Sequence, residues 1–580
     1  MNPKTQKGVL GEGGNMNIFY IDNDLAFNES SITEELKHCN TYFVDTETSG
    51  LNPRNCKLCL LQIKTGKNAF VINVLNVSAD NFNTILSIIN TVEKTWVLHN
   101  AKFDLQFFYA KEINVLANIE DTQLMQSCLL QGRCKDKLGL KYLAEEYCNM
   151  ELDKEEQTSD WTGKLSDSQI KYAAMDVITL EEIYYKLKAS VKANYLEEVV
   201  AIENAAVKAT ARLEFTGVCI NVDAVRSFKR ILKKHLDEMK RPFRTHNVNV
   251  SSPTQLKRYL LNNGIHVSKT CKDELAKYID NPIVAKVMEI KKEESLLKGI
   301  NTLLEGRDRT TSRVYCKYNQ NMTSTGRYST SSPNIQGLPH DEAVRSLIIA
   351  PENKQLIISD YSQIELRIIA EIAEDEEMMN AYIAGKDLHR ITAATVNQLP
   401  YDEVSAEQRK AAKAMNFGLI YGMGAKSFVK YAKTNYGVDI DEDDAIEMID
   451  KFFCLYPKIC ERIFVMEDKE TNFESTRSGR TRVWLDSFPS MNVRCNYEIQ
   501  GLGADIIKVA LARVEKELVC TGEAELMISV HDEIVIATDT DKAEAVASKL
   551  KTIMEESAAI YIKKVPIIAE VSIGDNWAAK

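Results

Sequence analysis

Strand-like and helix-like patterns occupy separate stretches of this chain, and their order restricts the folds that it can adopt. Residues 17–100 contain short apolar runs divided by polar turns, namely NIFYID, TYFVDTE, KLCLLQIKT, NAFVINV and TWVLHN. Helical spacing prevails over residues 121–310 and 376–475, and strand-like runs return over 311–375 and 524–580. This order predicts an α/β domain whose sheet comes first. Because 580 residues exceed what one hydrophobic core supports, we expect two to four domains.

Charge is distributed unevenly along the chain. The net charge is −11, but residues 221–320 hold 21 Lys and Arg against 11 Asp and Glu, so the remainder carries −21. A basic segment inside an acidic chain can mark a surface that binds phosphates. On charge alone, a set of solvated helices explains the same count equally well.

The cysteines and the N-terminus indicate the cellular compartment of the protein. Thirteen cysteines cannot all pair, which favours a reducing compartment, and Cys56 and Cys59 lack a second pair at metal-site spacing. Residues 1–16 are polar and Gly-rich, without a secretory pattern, and we expect them to be flexible. No run of eighteen apolar residues occurs, so no membrane span is predicted. We therefore expect a protein of the cytoplasm or of an organelle or viral host equivalent, neither secreted nor membrane-bound.

Two acidic residues on one strand-like run form the first candidate site. Asp45 and Glu47 alternate with Thr46 in TYFVDTE, so both carboxylates point to the same face of the strand. Two like charges at this distance repel one another unless a cation lies between them, and a divalent metal is the usual cation. By itself, such a pair is most often a solvated strand edge.

Three further residues complete this first group. Asp104 follows an apolar run in LHNAKFD, and Tyr172 and Asp176 share a helix face because they are four residues apart. Four carboxylates and a phenol could hold two metal ions and orient a water for phosphodiester hydrolysis. In this order the motifs, with LGLKYLA between them, resemble the DEDD-type 3′→5′ exonucleases over residues 17–190. The resemblance implies an RNase H-like fold, four carboxylate metal ligands and a tyrosine that helps to place the attacking water.

A second pair of acidic residues lies in the C-terminal half. Asp360 ends the apolar run QLIISD, and Asp532 lies in the turn of MISVHDEIVIAT between two strand-like runs. Nucleotidyl transfer requires two metal-binding carboxylates that converge from separate strands: one metal activates the primer hydroxyl and the other neutralises the triphosphate. A solvated turn is the plain alternative for Asp532 alone.

Between these carboxylates, QRKAAKAMNFGLIYGMG carries cations and aromatic residues at helical spacing. Arg409, Lys413, Phe417 and Tyr421 recur every four residues, and each step of four turns a helix by about 40°, so we expect one slowly turning stripe. Cations suit phosphates and rings suit a base, so the stripe predicts a nucleotide site. Each of the glycines at 418, 422 and 424 weakens a helix by up to about 1 kcal/mol, which predicts close approach of another group.

Together these segments resemble the family A DNA polymerases, the group of bacterial DNA polymerase I, from about residue 195 to residue 580. The resemblance rests on TSTGRYSTSSPNIQGLP, DYSQIELRIIA, GKDLHRITA, RKAAKAMNFGLIYGM, IQGLGADIIK and VHDEIV. It implies that Asp360 and Asp532 bind the catalytic metals with the backbone at Tyr361, that Glu533 is auxiliary, and that Glu365 excludes the 2′-hydroxyl. The residues expected to bind the incoming nucleotide or the DNA are Arg409, Lys413, His389, Phe417, Tyr421, Gln363, Arg327, Asn496, Gln500 and His531.

The fold implied by this resemblance is an α+β right hand over residues 191–580. The thumb would span about 205–310, where the basic segment lies, the fingers about 380–480, and the palm the remainder. Three departures from the bacterial enzymes stand out. The chain has no room for a 5′-nuclease domain, so nick translation is not expected. The stretch before Asn496 is shorter and lacks an arginine four residues earlier, and Gly337 begins a shortened loop.

The sequence therefore predicts a DNA-directed DNA polymerase with a proofreading 3′→5′ exonuclease. Its expected cofactors are two Mg²⁺ per site, with Mn²⁺ as a substitute, and its expected partners are primer-template DNA and dNTPs, bound by a monomer. Three alternatives remain: a single-subunit RNA polymerase, a nuclease whose polymerase half only binds DNA, and a non-enzymatic binding protein. Glu365 argues against the first, and the intact Asp360, Lys413 and Asp532 argue against the second. The full set of carboxylates makes the third the weakest alternative.

Overall fold

The computed structural model describes residues 5–8, 16–133, 136–152, 155–485 and 488–580. Its N-terminal region is built on a seven-stranded mixed sheet in the order β1-β2-β5-β4-β3-β6-β7. The strands are β1 Thr5–Gly8, β2 Met16–Ile21, β3 Thr41–Thr48, β4 Leu58–Thr65, β5 Asn68–Asn73, β6 Thr95–Leu98 and β7 Asn118–Asp121. Strands β3, β6 and β7 run parallel to one another, whereas β4 is antiparallel to both of its neighbours.

Helices cover both faces of this sheet, which is why β4 is buried along its whole length. They are α1 Asp24–Glu29, α2 Ile32–Lys37, α3 Ala79–Ile89, α4 Lys102–Ala110, α5 Thr122–Leu129, α6 Leu140–Cys148, α7 Asp167–Ala193 and α8 Glu197–Thr216. The long helix α7 begins with a capping box in which Ser166 and Gln169 satisfy each other's backbone N–H groups. The expected α/β domain is thus observed, with its sheet first.

The N-terminal segment differs in part from the prediction. Residues 1–4 and 9–15 of the segment expected to be flexible lie outside the described residues. Thr5–Gly8, however, pairs antiparallel with β2, so the prediction of a loose segment is wrong for these four residues. Pairing with an exposed edge strand explains the difference, because an edge offers free backbone groups to any neighbouring segment.

The described part of the C-terminal region contains eleven more strands. Four of them form an antiparallel sheet in the order β16-β17-β13-β18, which we call the palm sheet. The strands are β8 Val218–Ile220, β9 Arg313–Val314, β10 Lys317–Asn319, β11 Ser329–Ser331, β12 Ile348–Ile349, β13 Lys354–Tyr361, β14 Phe473–Ser475, β15 Thr481–Val483, β16 Glu525–Val530, β17 Glu533–Asp539 and β18 Ala569–Gly574. The smaller sheets are β12-β8-β9, β10-β11 and β14-β15.

Fourteen α-helices accompany these strands in the described residues. They are α9 Val222–Arg244, α10 Pro253–Asn262, α11 Lys272–Leu275, α12 Pro282–Glu305, α13 Glu342–Arg345, α14 Ile364–Ala373, α15 Glu376–Ile383, α16 Leu388–Asn397, α17 Ala406–Leu419, α18 Ala425–Tyr431, α19 Glu442–Leu455, α20 Pro457–Glu467, α21 Met491–Val514 and α22 Ala543–Ala559. Helices α9 to α12 lie within the predicted thumb and share a small core that includes Leu236, Leu260, Leu275 and Val287. Helices α15 to α20 lie within the predicted fingers.

Helix α8 connects the two regions through its packing. Its residues Val199 and Val200 belong to the core on one face of the first sheet, and Val207 and Ala211 belong to the core on the other face. A third side of the helix, which includes Leu213, packs into the core of the C-terminal region. One helix therefore contributes to three hydrophobic cores, and this explains why no Pro- or Gly-rich linker separates the regions.

Candidate active sites

The first group of acidic residues lines a cavity of about 590 Å³ beside strand β3 of the N-terminal sheet. Strand β3 supplies Asp45 and Glu47, and helix α7 supplies Asp176. One carboxylate oxygen from each of the three lies within 4.8 Å of the others. Oxygen donors alone at this spacing suit a hard divalent ion such as Mg²⁺ or Mn²⁺.

Burial and mutual repulsion disfavour the charged forms of Asp45 and Glu47 in this cluster. Burial raises the pKa of Glu47, and the neighbouring carboxylates of Asp45, Asp176 and Asp104 raise it further. Burial likewise raises the pKa of Asp45. Ionised carboxylates in such an environment are stabilised by a bound cation, because the cation offsets both desolvation and mutual repulsion. The donor set therefore fits a divalent metal.

Asp104 and Tyr172 line the same cavity, on helices α4 and α7 respectively. Asp104 is almost fully buried, and its Oδ1 accepts a hydrogen bond of 2.5 Å from the Thr46 hydroxyl. This contact places Asp104 beside β3 but outside the cluster of three oxygens. All five residues that the sequence predicted for this site thus lie around one cavity.

Sequence reasoning missed the loop that carries Asp104 into place. Asp121, at the end of β7, accepts hydrogen bonds from the backbone N–H groups of Asn100 and Ala101 at 3.0 and 2.8 Å. Asn100 and its neighbour His99 line the cavity. Asn100 has a φ of 61°, a backbone conformation that Asn tolerates better than most residues. The sequence contained a signal for this loop, because His99 and Asn100 both belong to the LHNAKFD motif.

The second group of acidic residues lies at one end of the palm sheet. Asp360 is near the end of β13, and Asp532 occupies the turn that joins β16 to β17. The backbone N–H of Tyr361 donates to the carbonyl of Asp532 at 3.3 Å, which holds the two segments together. Burial, reinforced by the charge of Asp360, raises the pKa of Asp532 to about 7. Two converging carboxylates of this kind fit a divalent metal.

Glu533, next to Asp532, is held by residues that the sequence analysis did not single out. It pairs with Asp360 across β13 and β17, and its Oε1 accepts a 2.6 Å hydrogen bond from the indole of Trp577. The surrounding cavity of about 440 Å³ is also lined by Arg345 and Lys580. Their contacts depend on segments far apart in the chain, so no local motif could reveal them.

Glu365 is anchored through both of its carboxylate oxygens. It lies in the first turn of α14, directly after the strand that carries Asp360. Tyr421 donates to Oε2 and Arg327 to Oε1, each at 2.5 Å. Gln363, the residue before the helix, accepts a hydrogen bond of 3.1 Å from Tyr382. The structure thus brings together Glu365, Tyr421 and Arg327, which the sequence predicted from three separate motifs.

The predicted nucleotide stripe is only partly a helix. Helix α17 ends at Leu419, so Arg409, Lys413 and Phe417 lie on it, whereas Tyr421 follows in a turn. The prediction of one helical stripe through Tyr421 is therefore wrong. Gly422 explains the end of the helix: its φ is +71°, and an added Cβ would lie 2.2 Å from the sulfur of Met491. An added Cβ at position 424, by contrast, would meet no atom within 4 Å.

Two of the predicted triphosphate ligands have partners within the protein. Arg409 Nε lies 2.6 Å from a carboxylate oxygen of Asp387, which also caps α16. His389 is buried on α16, its Nδ1 is 2.9 Å from the Asn416 side-chain amide, and its ring lies 5.7 Å from that of Phe417. Burial lowers the pKa of His389 to about 4, so the ring is neutral at pH 7.

The remaining predicted DNA contacts lie on α21 and beside Asp532. Asn496 and Gln500 are four residues apart on α21 and therefore share a face of that helix. The Oδ1 atom of Asn496 is buried without a hydrogen-bond partner among the described residues. His531 has a φ of 55°, and its ring stacks at 6.4 Å on that of His340.

Comparison with known proteins identifies two domains. The model of DNA polymerase family A matches residues 222–579, and the model of a 3′-5′ exonuclease matches residues 23–192. The DNA polymerase I of Aquifex aeolicus is 34% identical over 92% of this chain and 95% of its own length. The DNA polymerase I of Pseudomonas aeruginosa is 29% identical, and the alignment covers 96% of this chain but 66% of that protein.

A solved structure supports the fold. The polymerase domain of Pol1 from M. smegmatis, in complex with DNA primer-template and dNTP, matches with a TM-score of 0.81 over 95% of this chain and 98% of that one. At 20% identity this likeness establishes the right-hand fold only. The family match favours DNA synthesis over the RNA polymerase and non-enzymatic alternatives. This chain belongs to DNA polymerase family A and is a DNA-directed DNA polymerase that also carries a 3′→5′ exonuclease domain.

Proposed function

We propose that the chain extends primers at Asp360 and Asp532 and removes primer ends at Asp45, Glu47, Asp104 and Asp176. The observation that supports this division most strongly is the presence of two carboxylate clusters in two separate cavities, one per domain. In synthesis the primer 3′-hydroxyl loses its proton, its oxygen attacks the α-phosphorus of a dNTP, and pyrophosphate leaves. In proofreading, water loses a proton and attacks the phosphorus of the terminal phosphodiester. The bond from this phosphorus to the 3′-oxygen of the preceding nucleotide breaks, that oxygen takes up a proton, and a nucleoside 5′-monophosphate leaves.

Divalent ions, Mg²⁺ or Mn²⁺, held by these carboxylates and the backbone of Tyr361 would activate the attacking oxygen and neutralise the phosphates. Side chains of the protein would bind the triphosphate and place the attacking water. Arg409 and Lys413 offer cationic donors to the triphosphate, and the dNTP must compete with Asp387 for Arg409. Tyr172, beside Asp176 on α7, helps to place the attacking water in the exonuclease cavity.

The substrates, the oligomeric state, the location and the DNA contacts of the protein are further parts of the proposal. The proposed substrates are primer-template DNA and dNTPs, bound by a monomer in the cytoplasm or in the corresponding compartment of an organelle or viral host. Phosphate contacts are assigned to the basic helices α9 to α12. Contacts with the primer, the template or the nascent base pair are assigned to Arg327, Asn496, Gln500 and His531. In the part of the chain that the structure describes, no helix is long and apolar enough to cross a membrane.

Conservative substitution of the polymerase carboxylates tests this assignment. In Asp360→Asn or Asp532→Asn the primer-extension rate with dNTPs and Mg²⁺ should fall by about a thousandfold or more, because metal and electrostatic terms of this kind contribute several kcal/mol. Primer-template affinity, measured in the same buffer by fluorescence anisotropy, should stay the same or rise. Near-normal extension by either variant would place the polymerase site elsewhere. The matched control is Asp539→Asn, a change in a partly exposed side chain at the far end of β17.

A further inference from the structure

The side chain of Lys580 lies among the carboxylates of the polymerase cavity. Its Nζ is 2.6 Å from Oδ2 of Asp360 and 3.1 Å from Oε2 of Glu533. Lys580 belongs to none of the motifs that carry the family resemblance. It nevertheless contacts the carboxylate assigned above to metal binding and that carboxylate's neighbour across the strand pair β13-β17.

The segment after β18 is held against the palm by contacts of Trp577, and these contacts place Lys580 beside the carboxylates. The backbone N–H of Trp577 donates to Ile348 at 2.9 Å, and the indole, only 2% exposed, donates to Glu533 at 2.6 Å. The guanidinium of Arg345 lies 4.4 Å from the centre of the indole ring and 3.5 Å from Oε2 of Glu533. Trp577 is thus fixed between β12 and Glu533, three residues before Lys580.

The ammonium group itself is less constrained than its anchor. The Lys580 side chain is 36% exposed, compared with 26% for Asp360 and 5% for Glu533. A lysine carries its charge on a flexible four-carbon stem, so the head can leave the carboxylates while the docked indole stays in place. A divalent ion at Asp360 would repel the ammonium, because two cations a few Å apart in a partly buried cavity are poorly screened.

We propose that Lys580 is an internal counter-cation of the polymerase site that occupies Asp360 in the absence of metal and is displaced when a divalent ion binds. Lys580 then acts as a positioning residue: it keeps Asp360 directed into the cavity and sets how tightly metal is held. The inference rests on the proposed role of Asp360 as a metal ligand. It predicts that removal of the ammonium strengthens metal binding, whereas a purely structural lysine would leave it unchanged or weaken it.

Direct measurement of Mn²⁺ binding tests the proposal without relying on activity. The background carries Asp45→Ala with Glu47→Ala, so that the exonuclease cavity contributes little binding. Titration with Mn²⁺, followed by electron paramagnetic resonance of the free ion, should give a dissociation constant at least about threefold lower in Lys580→Gln than in this background. Lys580→Arg, which keeps the charge, should bind Mn²⁺ like the background.

Two controls separate failure of this inference from failure of the proposed function. Lys549→Gln removes an exposed lysine that pairs with Glu523 on the surface, so it matches the loss of charge and should leave Mn²⁺ affinity unchanged. Asp360→Asn should weaken Mn²⁺ binding. If it does not, the metal role of Asp360 fails. If it does, but Lys580→Gln binds Mn²⁺ no more tightly than the background, the counter-cation proposal fails alone.

Chemical labelling of the exonuclease-deficient background checks the displacement without altering Lys580. An amine-acetylating reagent followed by mass spectrometry should label Lys580 slowly in EDTA and at least about threefold faster in saturating Mn²⁺, because metal frees the amine from its carboxylate partners. Lys549, in the same digest, should react equally in both conditions. Metal-independent labelling of Lys580 would overturn the proposal even if the mutant titrations agreed with it.

Discussion

We propose that Glu365 selects the sugar, and this role would depend on how its side chain is held. Tyr421 and Arg327 each bind one oxygen of Glu365, so the carboxylate is fixed in direction although 21% of the side chain remains exposed. A carboxylate with both oxygens engaged cannot easily turn aside for a ribose hydroxyl. Crowding together with an unpaired polar contact can cost several kcal/mol, or a factor of about a thousand in discrimination.

Truncation of this side chain should relax sugar selection. In Glu365→Ala the ratio of ribonucleotide to deoxynucleotide incorporation should rise by at least about tenfold, since the group that crowds the 2′-hydroxyl is gone. Single-nucleotide kinetics with dNTP and rNTP on one template measure the ratio. Tyr421→Phe removes one anchor and keeps the ring, so its effect should be in the same direction but smaller. If Glu365→Ala retains the parent's ribose discrimination, the steric role assigned to Glu365 is wrong.

The residues that we assign to the two activities lie on separate elements, so mutation should separate the activities. Asp45 and Glu47 lie on β3 of the first sheet, whereas Asp360 lies on β13 of the palm sheet. Asp45→Ala with Glu47→Ala should abolish shortening of a 5′-labelled single strand and leave primer extension within about twofold, because the lost electrostatic terms act only locally. Undiminished shortening would contradict the assignment. Glu145→Ala with Glu146→Ala, two exposed acids on α6, is the matched control.

The charge of α12 gives a prediction about DNA affinity. Lys292 is 72% exposed and lies 3.8 Å from Asp341, so this ion pair is weak and the ammonium can reach a phosphate. The logarithm of the association constant for primer-template should fall linearly with the logarithm of the salt concentration, with a slope of roughly −0.9 per phosphate neutralised. Lys291→Glu with Lys292→Glu should make this slope less steep. Lys549→Glu with Lys551→Glu on α22 is the control. A slope unaltered by the α12 pair would mean that these lysines face away from DNA.

Local sequence patterns predicted those parts of the polymerase site that depend on residues adjacent in the chain. The strand that carries Asp360 and the turn at Asp532 follow from apolar runs and turn residues, whereas the role expected of Glu365 came from the family resemblance. The end of α17 before Tyr421 was missed, although Gly422, with a φ of +71°, is the kind of residue that commonly follows the end of a helix. The contact of Lys580 with Asp360 joins residues 220 positions apart, which no local periodicity encodes.

At the scale of the whole molecule, a buried ionic network joins helix α8 to the palm. Glu203, on α8, accepts hydrogen bonds from Arg480 and Lys508, both at 2.5 Å, and Arg480 also binds Asp505 on α21. The side chains of Glu203, Lys508 and Asp505 are 0% exposed. Lys508 also donates to the carbonyl of Gly326 at 2.6 Å, next to the arginine that anchors Glu365. The network thus extends from α8 to the residue next to Arg327, the partner of Glu365.

Removal of one anion from this network should destabilise the whole molecule. Glu203→Ala leaves Arg480 and Lys508 buried with Asp505 as their remaining carboxylate partner, and breaking a buried pair in this way costs about 3–5 kcal/mol. Urea unfolding followed by circular dichroism should therefore show a lower midpoint. The control is Glu198→Ala on the same helix, an exposed residue whose substitution should cost less than about 1 kcal/mol.

A second substitution shows whether Glu203→Ala destabilises the protein through an uncompensated charge or through lost packing. With Glu203 absent the network carries one excess positive charge, and Lys508→Met removes that charge while filling a similar volume. Buried ion pairs replaced by apolar residues of similar size are often as stable as the parent. Glu203→Ala with Lys508→Met should therefore be more stable than Glu203→Ala alone, although Lys508→Met by itself should destabilise. If the double variant is instead the least stable of the three, packing and not charge balance holds α8 against the palm.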